Sequence, residues 1–172
     1  MNNKPIYILD ATPVIHFARI GRLGLIPMIC QPIIVESVYN ETTLEEYPDG
    51  LIVKDHVDSE TIKVYKAEDR GDVEALLRTK GIHLGEAETL AAAKSLDCTA
   101  IMDDSEARAV AEVYGIKAVS GTLILLFKLL SQKIISSEEA DDMLVKLVRN
   151  GLYLDSKTIL RARERIRELK RD

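Results

Sequence analysis

The chemistry available to this chain lies in its carboxylates. Asp10 ends the β-prone run Ile6-Tyr7-Ile8-Leu9, and Asp103 with Asp104 ends a second, Thr99-Ala100-Ile101-Met102. Glu86 follows Gly85 at the head of a helical stretch. Residues of a helix turn by about 100° each, so Glu86 falls on the side of Leu90, Ala93 and Leu96, while Glu88 points away with Ser95. By the same periodicity Glu41 shares a face with Val38 and Leu44, and Glu36 precedes that helix. Asp10 is the acid hardest to explain as structure alone. A carboxylate among Leu9, Val14 and Ile15 needs a partner to be tolerated near a core, and Thr12, directly before Pro13, is expected to supply the helix cap. Asp104, ahead of Ser105-Glu106-Ala107, reads equally as a cap and as a ligand. Glu36, Glu88 and Glu106 read as solvated charges.

Several acids at one edge repel one another, and their pKa values rise unless a positive charge sits among them. A bound divalent cation relieves that repulsion. Hard oxygen donors without a supporting His or Cys cluster suit Mg²⁺ or Mn²⁺ rather than Zn²⁺. His16, His56 and His83 stand at no ligand spacing and are expected to be structural or exposed. Cys30 and Cys98 read as small apolar side chains, not a disulfide or a metal pair. An all-carboxylate Mg²⁺ or Mn²⁺ site commonly serves phosphoryl chemistry. No Gly-rich phosphate loop, Ser-His-Asp order or Gly-x-Ser-x-Gly elbow competes with it.

The elements that must position these acids alternate. Strands are expected at 6–9, 33–35, 99–102 and 117–119, with a further short one at Leu51-Ile52-Val53 after a turn at Tyr47-Pro48-Asp49-Gly50. Helices are expected to follow Thr12-Pro13, Ser37, Glu86 and Asp104. Another spans Ser59 to about Lys80, broken near Gly71. From Thr122 the chain is helical: Thr122–Gln132, Ser136–Asn150 with Ser136 and Glu139 spaced as a capping box, and Asp155–Lys170. Such alternation implies an α/β fold, a three-layer α/β/α sandwich with a central parallel sheet. In open sheets of this type, ligands bind beyond the carboxyl ends of the strands, which is where Asp10 and Asp103-Asp104 fall.

With 172 residues, the chain is expected to form one domain, residues 1–130 carrying the sheet and 131–172 a helical C-terminal extension packed on it. At 47% hydrophobic and 30% charged residues the composition excludes whole-chain disorder and fibrous repeats. The longest apolar run, Leu123–Phe127, is far too short to cross a bilayer, and Met-Asn-Asn-Lys-Pro leads into no secretory segment. The expectation is a cytoplasmic protein with no membrane partner. A net charge of −5 argues against nucleic-acid binding by bulk electrostatics. It leaves room for a local basic patch, and one is present: Lys157, Arg161, Arg163, Arg165, Arg167, Lys170 and Arg171 outnumber Glu164 and Glu168. This segment reads either as a solvated terminal helix or as an arm that tracks phosphates or meets an acidic partner.

Five segments occur in one order: Ile8-Leu9-Asp10-Ala11-Thr12, Val38-Tyr39-Asn40-Glu41, Leu84-Gly85-Glu86-Ala87-Glu88, Ile101-Met102-Asp103-Asp104-Ser105-Glu106-Ala107-Arg108 and Val119-Ser120-Gly121-Thr122-Leu123. Together they resemble the PIN-domain family, in its small prokaryotic toxin-like (VapC-like) branch carrying a Gly-Glu motif. Gly151-Leu152-Tyr153-Leu154 extends the likeness into the tail. The resemblance implies a metal-dependent endoribonuclease with Asp10, Glu41, Glu86 and Asp103 or Asp104 as its acids, and Thr12 as the hydroxyl residue after the first aspartate. It adds Glu41, which periodicity does not select. Many such nucleases have aspartate where Glu86 stands, so the longer side chain changes the metal spacing. The resemblance further implies an RNA substrate, a small antitoxin partner and a homodimer. A catalytically silent module that binds RNA or protein is the rival reading. Haloacid-dehalogenase chemistry wants a second aspartate where Thr12 stands, and a receiver domain wants its paired acids early in the chain.

Overall fold

A computed structural model of the chain describes residues 4–44, 48–67 and 70–170. Ile6–Leu9 (β1) is buried from its second residue onward, as a strand covered on both faces must be. It lies at the centre of a sheet completed by Gln31–Val35 (β2), Lys63–Tyr65 (β3), Thr99–Met102 (β4) and Ala118–Ser120 (β5). The order is β3-β2-β1-β4-β5 and every neighbouring pair is parallel.

Helices Ala11–Arg19 (α1), Ile26–Ile29 (α2), Glu36–Thr42 (α3) and Pro48–Asp58 (α4) accompany the steps from β1 through β2 to β3. Gly71–Leu77 (α5), Leu84–Ser95 (α6) and Ser105–Val113 (α7) accompany the steps through β4 to β5. The two sets step outward from β1 in opposite directions, so right-handed crossovers put them on opposite faces of the sheet. The expected α/β/α sandwich is therefore present.

Gly121–Ser131 (α8) follows β5 directly, and Ser137–Arg149 (α9) and Ser156–Leu169 (α10) pack with it. Their buried residues Met143, Leu144, Leu147, Ala162 and Ile166 join the same hydrophobic core as Ile8, Leu9 and Ile101. The capping box of α9 forms: the Glu139 amide donates to Ser136 Oγ at 3.1 Å, and the Ser136 amide donates to Glu139 Oε2 at 2.9 Å. Among the described residues no helix is long and apolar enough to cross a membrane.

Three expectations change. Leu51-Ile52-Val53 is not a strand but the middle of α4. Three apolar residues fit either element, and Pro48 is tolerated in a first helical turn. Of the turn expected just before it, Tyr47 lies outside the described residues and Pro48 to Gly50 open the helix. Residues 59–80 are not one helix, because β3 pairs with β2 there and α5 begins at Gly71 instead of breaking at it. Finally, the residue before α1 is Asp10, not Thr12, which moves Pro13 to the third helical position.

Candidate active site

The strand order reverses direction of travel between β1 and β4, so the crevice beyond their carboxyl ends is the natural ligand position in this topology. Leu9 is in register with Ile101, and the Asp10 amide continues the pairing by donating to the Ile101 carbonyl at 2.9 Å. Asp10 is thus level with Met102, and Asp103 follows one residue beyond on the adjacent strand.

Asp10 is only 7% exposed. Burial, above all, drives its carboxyl from 3.8 up to about 7; the Ala11 amide opposes this, while the negative charges of Glu86, Glu41 and Asp103 push the same way. Those three acids come from α6, α3 and the loop after β4, and all three lie within electrostatic reach of Asp10. Glu41, exposed on α3, brings Oε2 to within 3.7 Å of where a Cβ on Gly85 would stand, so it abuts the first turn of α6. Glu86, in that same turn and half-buried, has one oxygen engaged, since the His83 amide donates to its Oε2 at 2.9 Å.

Asp103 and Asp104 part company. Asp104 is exposed, and its Oδ1 accepts from the Ala107 amide at 2.8 Å, capping α7. Asp103 turns instead to the start of α8, where the Thr122 amide donates to Oδ1 at 2.9 Å and the Thr122 hydroxyl to Oδ2 at 2.6 Å. Gly121 makes that approach possible, because a Cβ there would lie 2.7 Å from the Asp103 carboxyl carbon. Arg108 braces the turn between the two aspartates by donating to the Met102 and Asp103 carbonyls at 2.9 and 2.8 Å. Glu41, Glu86 and Asp103 thus each act on Asp10, while Asp104 is turned to the cap of α7. Thr12 sits half-buried in the first turn of α1, two residues after Asp10.

Among the described residues no three His, Cys, Asp or Glu side chains are arranged to hold a metal ion as they stand. The charges of Glu41, Glu86 and Asp103 act on Asp10, yet Asp103 and Glu86 turn oxygens toward Thr122 and His83. The donor set itself, all carboxylate oxygen with its repulsion uncompensated, has the chemistry that a hard divalent cation satisfies.

Sequence reasoning missed Thr122, fully buried and bonded to Asp103. It also misplaced Glu88, which is 8% exposed, not solvated. His16 is buried, and burial lowers its pKa despite the pull of nearby Asp103. His56 instead pairs with Thr61. Cys30 is buried and Cys98 partly so, both unbridged.

Arg163 and Arg165 of α10, and Lys170 just after it, are paired with Asp141, Glu168 and Glu138. Arg171 lies outside the described residues. Lys157, Arg161 and Arg167 are exposed, and no ion pair joins them to any described residue.

A family model described as a PIN domain matches residues 6–168, nearly the whole chain. No curated protein and no solved structure matches it.

Proposed function

Since the chain belongs to the PIN-domain family, and so to a group of nuclease-type hydrolases, we propose that it is a Mg²⁺- or Mn²⁺-dependent endoribonuclease. The observation that carries this reading is the Asp10 carboxyl at the carboxyl end of β1, beside β4, raised to about 7 by burial and by the charges of Glu86, Glu41 and Asp103. In it, Asp10, Glu86 and Asp103 hold the cation, with Glu41 at the rim. A divalent ion bound there supplies water activation and neutralises charge on the phosphodiester oxygens. The chain's own part is to hold the acids ready: Thr122 and Gly121 fix Asp103, the His83 amide orients Glu86, and Asp104 anchors the turn by capping α7. We extend the proposal to the toxin of a toxin–antitoxin pair on the likeness of the five motifs, with growth arrest on induction as its requirement.

Titration with Mn²⁺ tests the core of the reading. Mn²⁺ is expected to raise the melting temperature of the wild-type protein; a concentration 100-fold above the Kd stabilises by about 2.7 kcal/mol. EDTA is expected to abolish RNA cleavage. If calorimetry detects no Mn²⁺ binding near millimolar concentration, the silent module takes the nuclease's place; the engaged oxygens of Asp103 and Glu86 are the observation in its favour.

If RNA runs along α10, Lys157 and Arg161 are, with Arg167, exposed cations that no ion pair joins to a described residue. Replacing both with Gln is expected to raise KM for RNA and to flatten the slope of log affinity against log salt by about 1.4, at roughly 0.7 per single-strand phosphate contact. An unchanged slope would return α10 to the role of a solvated helix.

A further inference from the structure

α3 carries Glu41, yet it begins without a cap of its own: the residue before it is Val35, whose side chain accepts nothing. The acceptor comes from another helix. Glu88 of α6 takes two hydrogen bonds on Oε2, from the Ser37 amide at 3.2 Å and from the Ser37 hydroxyl at 2.6 Å. Its other oxygen meets Arg70 Nη2 at 3.3 Å, just before α5. A carboxylate at a helix N-terminus satisfies orphan amides and meets the positive end of the helix dipole.

The geometry around this contact ties it to the acidic site. Ser37 lies one turn before Glu41 on α3, and Glu88 lies two residues after Glu86 on α6. Between them is Gly85, where a Cβ would stand 3.6 Å from Val38, 3.7 Å from Glu41 Oε2 and 3.9 Å from Ser37 Oγ. The first turn of α6 is thus in contact with α3 along the face that carries Ser37, Val38 and Glu41. Arg70 is half exposed, so it compensates Glu88 without being stranded by its loss.

We propose that Glu88 is a positioning residue: by capping α3 from α6 it locks the helix of Glu41 to the helix of Glu86 and so sets the spacing of the acids around Asp10. The proposal rests on the reading of those acids as a cation site. Outer contacts that orient metal ligands typically change metal affinity or activity 10- to 100-fold when removed.

The test compares Glu88→Ala, Glu88→Gln and Ser37→Ala in the full-length protein, reading Mn²⁺ affinity by calorimetry and amide hydrogen exchange across α3. Glu88→Ala is expected to weaken Mn²⁺ binding about ten-fold and to speed exchange in the first turn of α3. Glu88→Gln keeps an oxygen for Ser37 and is expected to restore most of both, which loss of the Arg70 pair alone would not allow. Ser37→Ala, which retains the amide contact, is expected to fall between them and serves if Glu88→Ala does not fold. Wild-type affinity with unchanged α3 exchange in Glu88→Ala and Ser37→Ala overturns the proposal. If the wild-type protein binds no Mn²⁺, the cation reading fails. Exchange then decides the capping role alone, and normal α3 protection in the variants refutes that too.

Discussion

Asp10→Asn is expected to reduce RNA cleavage by more than the 10- to 100-fold typical of a lost outer contact to a metal ligand, while making the metal-free protein more stable at pH 8. The two effects share one cause. In the folded chain Asp10 titrates at about 7 rather than 3.8, because it is buried and faces Glu86, Glu41 and Asp103. Below pH 3.8 it is protonated in both folded and unfolded states and costs nothing. Between 3.8 and 7 the folded state keeps a proton that the unfolded state has released, so the contribution to stability falls as pH rises through that window. Above 7 the folded protein carries the charge at full cost, about 4 kcal/mol by linkage. Asn removes the charge and also weakens the contact with the Ala11 amide, so the net gain is set at about 2 kcal/mol, or roughly 5 °C in Tm. Melting curves of both proteins in EDTA at pH 8 and at pH 4.5 provide the check, with the gain confined to pH 8. Equal melting temperatures at pH 8 would mean that Asp10 carries no electrostatic strain, and undiminished metal-dependent cleavage by folded Asp10→Asn would refute its catalytic role. Fully buried Ile8, Leu9 and Ile101 each contribute about 2 kcal/mol. That is why the strand ends hold an acid in this position at all.

The parts of this arrangement that depend on a parallel sheet were readable from residue order. A β-prone run ending in aspartate, twice, in an alternating chain places those acids at one edge without further information. Helical periodicity served less well. The stripe assigned to α6 assumes a wet face along the whole helix, but Ala87 through Ala93 are buried without a break, so its middle has no solvated side on which to put Glu88. A residue expected in water thus became an interhelical cap. Asp103 and Asp104 could not be separated by sequence because both follow β4. What divides them is a contact across 19 positions, from Asp103 to Thr122, which no local pattern encodes. β3 escaped notice for a related reason: Lys63-Val64-Tyr65 is a short, polar edge strand, visible only through its pairing with β2.

That same long-range contact yields a paired prediction on two glycines at the rim of the site. A Cβ at Gly121 would stand 2.7 Å from Asp103 Cγ and Oδ2 and 2.8 Å from Oδ1, closer than any side chain tolerates. Gly121→Ala must therefore push the carboxylate off Thr122. Displacing a reacting or ligating group by about 1 Å costs on the order of 10² in rate, and the lost hydrogen bonds cost about 1–3 kcal/mol of stability. At Gly85 the nearest atom to an added Cβ is 3.6 Å away, an ordinary contact, and alanine is the better helix former by about 0.8–1.0 kcal/mol. Gly85→Ala is accordingly expected to retain activity within about three-fold, a window set well inside the 10² expected from displacement, and to melt no lower than wild type. The measurement is kcat and Tm for the two variants in parallel, with Mn²⁺ affinity to separate ligand displacement from general loosening. A folded Gly121→Ala protein with wild-type kcat and Mn²⁺ affinity would show that Asp103 need not rest on Thr122, and would remove it from the acids that define the site.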